Sequence, residues 1–325
     1  MKVYRKINDI PVSDEKIVMA MGTFDGLHMG HETLLETVLN VSSETGHTPY
    51  VFTFSNSPKT VFQPYVKHMQ LLDPGYKLDL LEKKGIQGVI LIDFSKDFAK
   101  INAEVLCNLL QKKFVNLSIV VGYDFRMGKG TRMDAASLAE KGKISGFNVH
   151  IVPPYKINEE KVSSTRIRTL IRNGSIKEAN ALLGRPYAIE GIVEVGNQKG
   201  RQIGFPTVNI KNDAMVYPRG GVYLAGLRIS ENINENGYPV YQNRLHYGMT
   251  FVGKNTLSMI DTPAIETNIF ELESDLYGKW VRVYFFDRIR NTLTFKSFDD
   301  LKIQLMKDKE QSLNMFKNLE DVNVS

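Results

Sequence analysis

The first half of the sequence alternates short apolar runs with helical stretches, and this alternation constrains the fold more than any other feature. Runs rich in β-branched residues predict strands at 17–21, 50–54, 88–93, 118–121 and 148–152. Between them, helical periodicity is visible at 32–42, 76–84 and 102–114. Alternation of this kind indicates parallel strands joined by crossover helices. The sequence therefore predicts a Rossmann-like α/β domain with a doubly wound parallel sheet.

The pattern changes in the second half of the chain. Two short helical stretches from residue 163 end at Gly184, and beyond Pro186 four apolar runs follow without intervening helices, at 189–195, 222–229, 265–272 and 280–286. Turn-forming residues separate these runs, which predicts an antiparallel β-barrel. A last amphipathic stretch, 298–316, predicts a terminal helix. We place the domain boundary near residue 186, which gives domains of 1–186 and 187–325.

Composition excludes several classes of protein. The only cysteine, Cys107, cannot form an internal disulfide, and no apolar run approaches the roughly 18 residues of a membrane span. A formal charge of +5 over 325 residues is mild for a dedicated nucleic-acid binder. We expect a soluble cytoplasmic enzyme with small-molecule substrates, no membrane or nucleic-acid partner, and a monomeric or weakly homo-oligomeric state.

The segment Gly22-Thr23-Phe24-Asp25-Gly26-Leu27-His28-Met29-Gly30-His31 follows a predicted strand and opens a predicted helix. A turn of this type directs backbone N–H groups and the positive end of the helix dipole at an anion. His28 and His31 are three residues apart, so both imidazoles can donate hydrogen bonds to a phosphate under attack. Two polar surface histidines, or half of a zinc site, are the alternatives.

A second polar cluster lies at Ser163-Ser164-Thr165-Arg166-Ile167-Arg168. Hydroxyl groups at a helix start commonly cap free backbone N–H groups, which is the simpler interpretation. Two arginines two residues apart can also neutralise the β- and γ-phosphates of a nucleotide. Together with the histidine motif, this cluster predicts a site for the leaving pyrophosphate.

A third motif joins a loop containing glycine and cationic residues, 196–201, to Gly204-Phe205-Pro206-Thr207-Val208-Asn209. Thr207 and Asn209 are two apart and leave a strand on the same side. Neutral oxygen ligands of this kind can hold Mg²⁺, which keeps most of its waters and bridges ATP phosphates. A hairpin loop with an edge proline is the structural alternative.

The strings GTFDGLHMGH, VGYDFRMGKG (121–130) and VSSTRIR (162–168), with the GFPTVN string, resemble those of the bacterial bifunctional riboflavin kinase/FAD synthetases. The resemblance extends from about Met19 almost to the C-terminus. It implies that His28 and His31 contact ATP phosphates and that Glu266 is the catalytic base of the kinase. The other implied site residues are, for ATP in the adenylyltransferase, Gly22, Phe24, Asp25, Gly30, Ser164, Thr165, Arg166 and Arg168; for its flavin, Asn56, Asp124 and Phe125; for ATP in the kinase, Gly196, Lys199, Gly200 and Arg201; and for the metal, Thr207 and Asn209.

The chain departs from the family pattern in two places. After the second strand the family carries a proline-histidine-proline turn, whereas here Ser57 replaces the histidine and Pro58 keeps the second proline. Because Asn56 can still donate a hydrogen bond, we expect altered affinity. Before the catalytic strand the family carries a Pro-Thr turn, and Gly253-Lys254-Asn255-Thr256-Leu257 lacks that proline. A looser loop there predicts a slow or absent kinase.

The resemblance implies two reactions that use ATP, with Mg²⁺ as cofactor. Riboflavin is phosphorylated to FMN in the C-terminal domain, and FMN is adenylylated to FAD with release of pyrophosphate in the N-terminal domain. Three alternatives stay open: an FAD synthetase whose kinase-like domain is inactive or regulatory, a flavin-responsive RNA-binding regulator, and adenylylation of another phosphorylated substrate.

Overall fold

The computed structural model describes residues 1–63, 69–128, 133–196, 199–254, 263–270, 272 and 275–317. These residues form two compact units, Met1–Ser163 and Ser164–Ser325. Among the residues described, no helix is long and apolar enough to cross a membrane.

The first unit alternates strands and helices as predicted. Its strands are β1 (Lys2–Tyr4), β2 (Ser13–Met21), β3 (Thr48–Phe54), β4 (Gly88–Ile92), β5 (Phe114–Gly122), β6 (Arg126–Met127), β7 (Met133–Asp134), β8 (Asn148–Val152), β9 (Lys156–Ile157) and β10 (Glu160–Lys161). Its α-helices are α1 (Met29–Thr45), α2 (Pro58–Phe62), α3 (Pro74–Lys83), α4 (Ala103–Gln111) and α5 (Ala135–Ser145), and its 3-10 turns are Ile7–Asp9 and Phe98–Lys100.

Six of these strands make a fully parallel sheet in the order β1-β4-β3-β2-β5-β8. The chain builds outward from β2 through β3 to β4 and then returns to the other side of β2 to form β5. The strand order therefore reverses between β2 and β5, which is where doubly wound sheets bind ligands, at the carboxyl ends of the strands. The predicted doubly wound fold is confirmed.

One detail of the predicted periodicity differs. The helical spacing within 102–114 predicts one apolar face made of Val105, Leu106, Leu109 and Leu110. Half of Val105 is exposed, however, while Ala103, Leu106, Cys107 and Leu110 form the buried face. The stripe that packs on the sheet is rotated by one residue because Cys107, whose thiol pKa burial raises to about 11, takes a core position.

The second unit begins with a helical pair and continues as an antiparallel barrel. Its helices are α6 (Ser164–Asn173), α7 (Ile176–Leu183), α8 (Lys199–Gln202) and α9 (Phe298–Lys317). Its strands are β11 (Tyr187–Glu194), β12 (Val208–Ile210), β13 (Gly221–Ile233), β14 (Pro239–Tyr241), β15 (His246–Lys254), β16 (Pro263–Ile269) and β17 (Trp280–Asn291). Six strands close a barrel in the order β13-β15-β16-β12-β11-β17, since β13 also pairs with β17, and β14 extends β13 on the outside. The predicted barrel and terminal helix are confirmed.

The helical pair α6–α7 packs on the barrel. The Asn180 side chain donates to the carbonyls of Phe285 and Phe286 at 2.9 and 3.2 Å and accepts from the Tyr187 N–H at 2.7 Å. The compact units divide at Ser163, ahead of this pair. The domain boundary near residue 186, inferred from the change in sequence pattern, follows the pair and stays a prediction.

Candidate functional sites

The histidine motif lies at the carboxyl end of β2, beside the point where the strand order reverses. His28 is the N-cap residue of α1 and His31 is in its first turn. The two imidazole rings stack with centroids 3.7 Å apart and planes 13° apart. His28 is 6% exposed, so its ring is held within the protein and not on a mobile surface. The structure thus brings together the two groups that the motif predicted to act on one phosphate.

Glycines allow the close approach of the turn and the helix. A Cβ on Gly30 would lie 3.3 Å from the ring of His28, and one on Gly22 would lie 3.2 Å from the ring of Phe24. Gly26 has φ of 92°, a left-handed conformation that favours glycine. The N-terminus of α1 adds the partial positive charge of the helix dipole at this end of the sheet.

Two residues of the motif have structural surroundings that the sequence did not indicate. The Phe24 side chain is fully buried and packs 5.1 Å from the ring of His31, so only its backbone can reach a nucleotide. A carboxylate oxygen of Asp25 accepts a hydrogen bond of 2.8 Å from the N–H of Leu71, which ties the turn to the segment before α3. Both residues were predicted to bind ATP, and the structure shows each of them shaping the turn.

The predicted flavin residues lie after β3 and β5, at the same edge of the sheet. The Asn56 amide donates to the carbonyl of Phe94 at 2.9 Å and accepts from the Phe94 N–H at 2.8 Å, so it joins the loops after β3 and β4. Asp124 forms an ion pair with Lys161, whose ammonium also lies 4.8 Å from the centre of the Tyr123 ring. Phe125 packs against the core of the first unit.

The polar cluster at 164–168 forms the first turns of α6, in the second unit. Ile167 and Ile171 are its buried residues, while Thr165 is exposed and Arg166 and Arg168 are half-buried. The predicted phosphate ligands therefore lie outside the buried, apolar face of the helix.

The third motif forms a compact site on neighbouring barrel strands. Asn209 lies directly opposite Glu266 in the pairing of β12 with β16, so their side chains leave the sheet on the same face. The Asn209 amide nitrogen lies 3.4 Å from the hydroxyl of Thr207. Burial raises the pKa of the Glu266 carboxyl, which lies opposite Asn209 on the neighbouring strand.

The loop before this site passes close over it. A Cβ on Gly196 would lie 2.5 Å from the Asn209 amide nitrogen, and one on Gly200 would lie 2.2 Å from the Phe205 carbonyl. Arg201 is exposed and lies 5.8 Å from the centre of the Tyr277 ring. The side chain of Lys199 and the departure at 255–257 lie outside the part of the chain that the structure describes.

A groove of about 1270 Å³ opens beside this site, between the Ile203–Phe205 segment and α9. Its walls combine the aromatic residues Phe205, Tyr247 and Phe316 with several lysines of α9. An apolar groove of this size with a polar rim suits an aromatic small molecule. The sequence indicated the helix but not the groove.

Comparisons with known proteins match each half of the chain to a family model. A family model described as FAD synthetase matches residues 10–166, and one described as riboflavin kinase matches residues 183–316. The bifunctional riboflavin kinase/FMN adenylyltransferase of Bacillus subtilis is 31% identical over 94% of each chain. That of Haemophilus influenzae is 32% identical over 92% of this chain and 94% of its own.

A crystal structure of a Streptococcus pneumoniae protein, described as a macrolide-efflux protein, has the same fold. It matches with a TM-score of 0.82 and 34% identity, and the match covers 96% of this chain and 98% of that one. The resemblance inferred from the sequence motifs is confirmed by the two family models and the curated relatives. The chain belongs to the family of bifunctional riboflavin kinases/FMN adenylyltransferases.

Proposed function

We propose that this chain makes FAD from riboflavin in two steps that use separate sites. The barrel transfers the γ-phosphoryl group of ATP to the 5′-hydroxyl of riboflavin, and the parallel-sheet unit transfers an adenylyl group from a second ATP to FMN. The observation that carries the adenylylation step is the stacked pair His28 and His31 at the N-terminus of α1. Two adjacent imidazole donors and a helix N-terminus suit a phosphate whose negative charge grows during attack.

In the adenylylation step, an oxygen of the FMN phosphate attacks the α-phosphorus of ATP and the pyrophosphate leaves in line. His28 and His31 donate hydrogen bonds to the α-phosphate oxygens and stabilise the charge that develops there. Ser164, Thr165, Arg166 and Arg168 are proposed ligands of the pyrophosphate, on the grounds of their sequence pattern and positive charge. Asp124 and Phe125, in the loop after β5, and Asn56, after β3, are proposed to line the flavin site.

In the kinase step, Glu266 accepts the proton of the riboflavin hydroxyl as that oxygen attacks the γ-phosphorus. Its raised pKa supports this role, because a more basic carboxylate takes the proton more readily. The described residues contain no group of three or more acidic, His or Cys side chains that could hold a metal ion. Thr207 and Asn209 are proposed to hold Mg²⁺ together with the ATP oxygens, and the ion when bound would neutralise phosphate charge. The groove beside α9 is proposed to hold the isoalloxazine ring.

The test is chromatographic analysis of flavin products from the purified chain with ATP and Mg²⁺. Starting from FMN, we expect FAD; starting from riboflavin, we expect FMN followed by FAD. FAD from FMN with no product from riboflavin would support the alternative of an inactive kinase domain. Failure to form FAD from FMN would overturn the proposal.

Matched variants assign each step to its site. Asn209→Ala should abolish FMN formation from riboflavin and leave FAD formation from FMN nearly intact, whereas His31→Ala should have the opposite effect. His150→Ala, on the edge strand β8, is the control for loss of a histidine, and it should leave both steps unchanged.

A further inference from the structure

A buried lysine lies directly beneath the histidine turn, and the proposed chemistry does not use it. Lys77, on α3, is 4% exposed. Its ammonium donates to the carbonyl of Thr23 at 3.1 Å and to the carbonyl of Phe54 at 2.9 Å. It also lies 3.4 Å from the hydroxyl of Thr53, which itself donates to the Thr23 carbonyl at 2.9 Å. One cation thus joins the carboxyl ends of β2 and β3.

The turn that Lys77 holds has an unfavourable backbone conformation. Phe24 and Leu27 have φ of 47° and 39°, in the left-handed region that residues with a Cβ rarely adopt. Both side chains are fully buried. Such residues persist only where their surroundings over-determine the conformation, at a cost of about 1–3 kcal/mol each. The hydrogen bonds to the Thr23 carbonyl fix the residue immediately before this strained segment, and His28 follows it.

Burying the charged ammonium of Lys77 costs free energy, and filling the space in the core does not require that charge. Burial lowers the pKa of this ammonium to about 8, and the carboxylates of Asp25 and Asp73 oppose that shift. The Asp25 carboxylate accepts a hydrogen bond from the Leu71 N–H, and the Asp73 carboxylate accepts one from the Gly75 N–H. A buried cation is expensive, and a methionine or leucine would fill the same space without that expense. Retention of a lysine whose hydrogen bonds go to the turn and the adjoining strand end favours a role at the site.

From this geometry we propose that Lys77 is a positioning residue for adenylylation, which holds the Thr23 and Phe54 carbonyls so that His28 and His31 face the α-phosphate. This inference rests on the proposed function of the histidine pair. Lys77 touches no substrate; it acts through the turn. Because misplacement of catalytic groups by about 1 Å can cost on the order of 100-fold in rate, loss of this anchor should affect turnover more than binding.

The experiment compares the full-length chain with Lys77→Met, which keeps the length of the side chain but removes its charge and its donors. Steady-state rates of FAD formation from FMN are measured against ATP concentration and divided by the folded fraction from near-UV circular dichroism. We expect kcat to fall by about 30-fold or more, as for misplaced groups, while the KM for ATP changes by less than about threefold. Lys83→Met, an exposed lysine on the same helix, is the control and should match the wild type. Riboflavin phosphorylation by the same samples should be unchanged.

A second variant keeps the test decisive if Lys77→Met does not fold. Thr53→Val has almost the same shape and removes the hydroxyl that shares the Thr23 carbonyl with Lys77. We expect its kcat for adenylylation to fall by about five- to tenfold, again with little change in the KM for ATP, since one of two anchors remains. A kcat within threefold of the wild type for folded Lys77→Met, or for Thr53→Val where Lys77→Met does not fold, would overturn the inference. So would a loss that lies wholly in the KM. Failure of the proposed function is distinct, because the wild-type chain would then form no FAD.

Discussion

The ion pair between Arg290 and Asp308 should be the main anchor of the terminal helix on the barrel. The Arg290 guanidinium, on β17, reaches both carboxylate oxygens of Asp308, on α9, at 2.7–2.9 Å. Gln304 donates to the same carboxylate at 2.9 Å, and Asp308 is 1% exposed. Removing one partner of a buried pair leaves the other charge uncompensated and costs about 3–5 kcal/mol.

We expect Asp308→Ala to destabilise the barrel by about 3 kcal/mol, at the low end of that range, because the side chain of Arg290 is 16% exposed and keeps some access to water. With a urea slope of about 1.5 kcal/mol per molar, this corresponds to a midpoint lowered by about 2 M. The measurement is urea unfolding followed by fluorescence of Trp280, the only tryptophan, which begins β17 and so reports on the barrel unit.

Two further variants separate the ion pair from helix propensity and from packing. Asp300→Ala removes an exposed carboxylate in the first turn of the same helix and should cost less than about 1 kcal/mol. A double variant, Arg290→Leu with Asp308→Leu, should recover to within about 1 kcal/mol of the wild type, because two apolar groups replace two charges. A midpoint for Asp308→Ala equal to that of Asp300→Ala would refute the reasoning.

Three other outcomes follow from the two sites. His28→Ala and His31→Ala should each lower FAD formation from FMN by at least about 100-fold, the usual cost of losing one preorganised donor, with riboflavin phosphorylation in the same sample as the control. Burial raises the pKa of Glu266, and a base works only when deprotonated; the kinase rate should therefore fall as pH drops through a value above the usual range of a glutamate, and Glu266→Gln should abolish turnover. Gly196→Ala would place a Cβ 2.5 Å from the Asn209 amide nitrogen, so it should slow riboflavin phosphorylation and leave adenylylation unchanged, as product chromatography will show.

The sequence predicted best the elements that are apolar along a whole run or along one helical face. Strands β2 to β5 contain apolar runs that are buried on both faces of a parallel sheet, so their residues alone identify them. Strand β15 was not predicted, because its nine residues include Gly248 and Gly253 and its polar Thr250 is buried. Thr250 fits the core only through the 2.8 Å hydrogen bond to the hydroxyl of Thr267 on β16. Such a cross-strand partnership cannot be recognised before the strands are paired.

The site residues also divide into those that contiguous sequence reveals and those that depend on tertiary contacts. The histidine motif was predictable because its residues are contiguous and lie at a junction between a strand and a helix. Lys77 and Asp308 were not, since a charged residue in an amphipathic helix is expected on the solvent face. Each is buried because its partners come from distant strands, Thr23 and Phe54 in one case and Arg290 in the other. Only tertiary structure supplies these partners.

The two proposed phosphate sites would use different ligands because their sheets differ. In a parallel sheet the carboxyl ends of all strands lie at the same edge, so the following loops and helix N-termini lie there too. The turn at His28 can therefore bind an anion with backbone groups. In an antiparallel barrel neighbouring strands end at opposite edges, so site residues must project from the strand faces, as the proposed metal ligand Asn209 and the proposed base Glu266 do. Substitutions at the barrel site should therefore spare adenylylation. If Asn209→Ala stopped both reactions, the assignment of one reaction to each fold would be wrong.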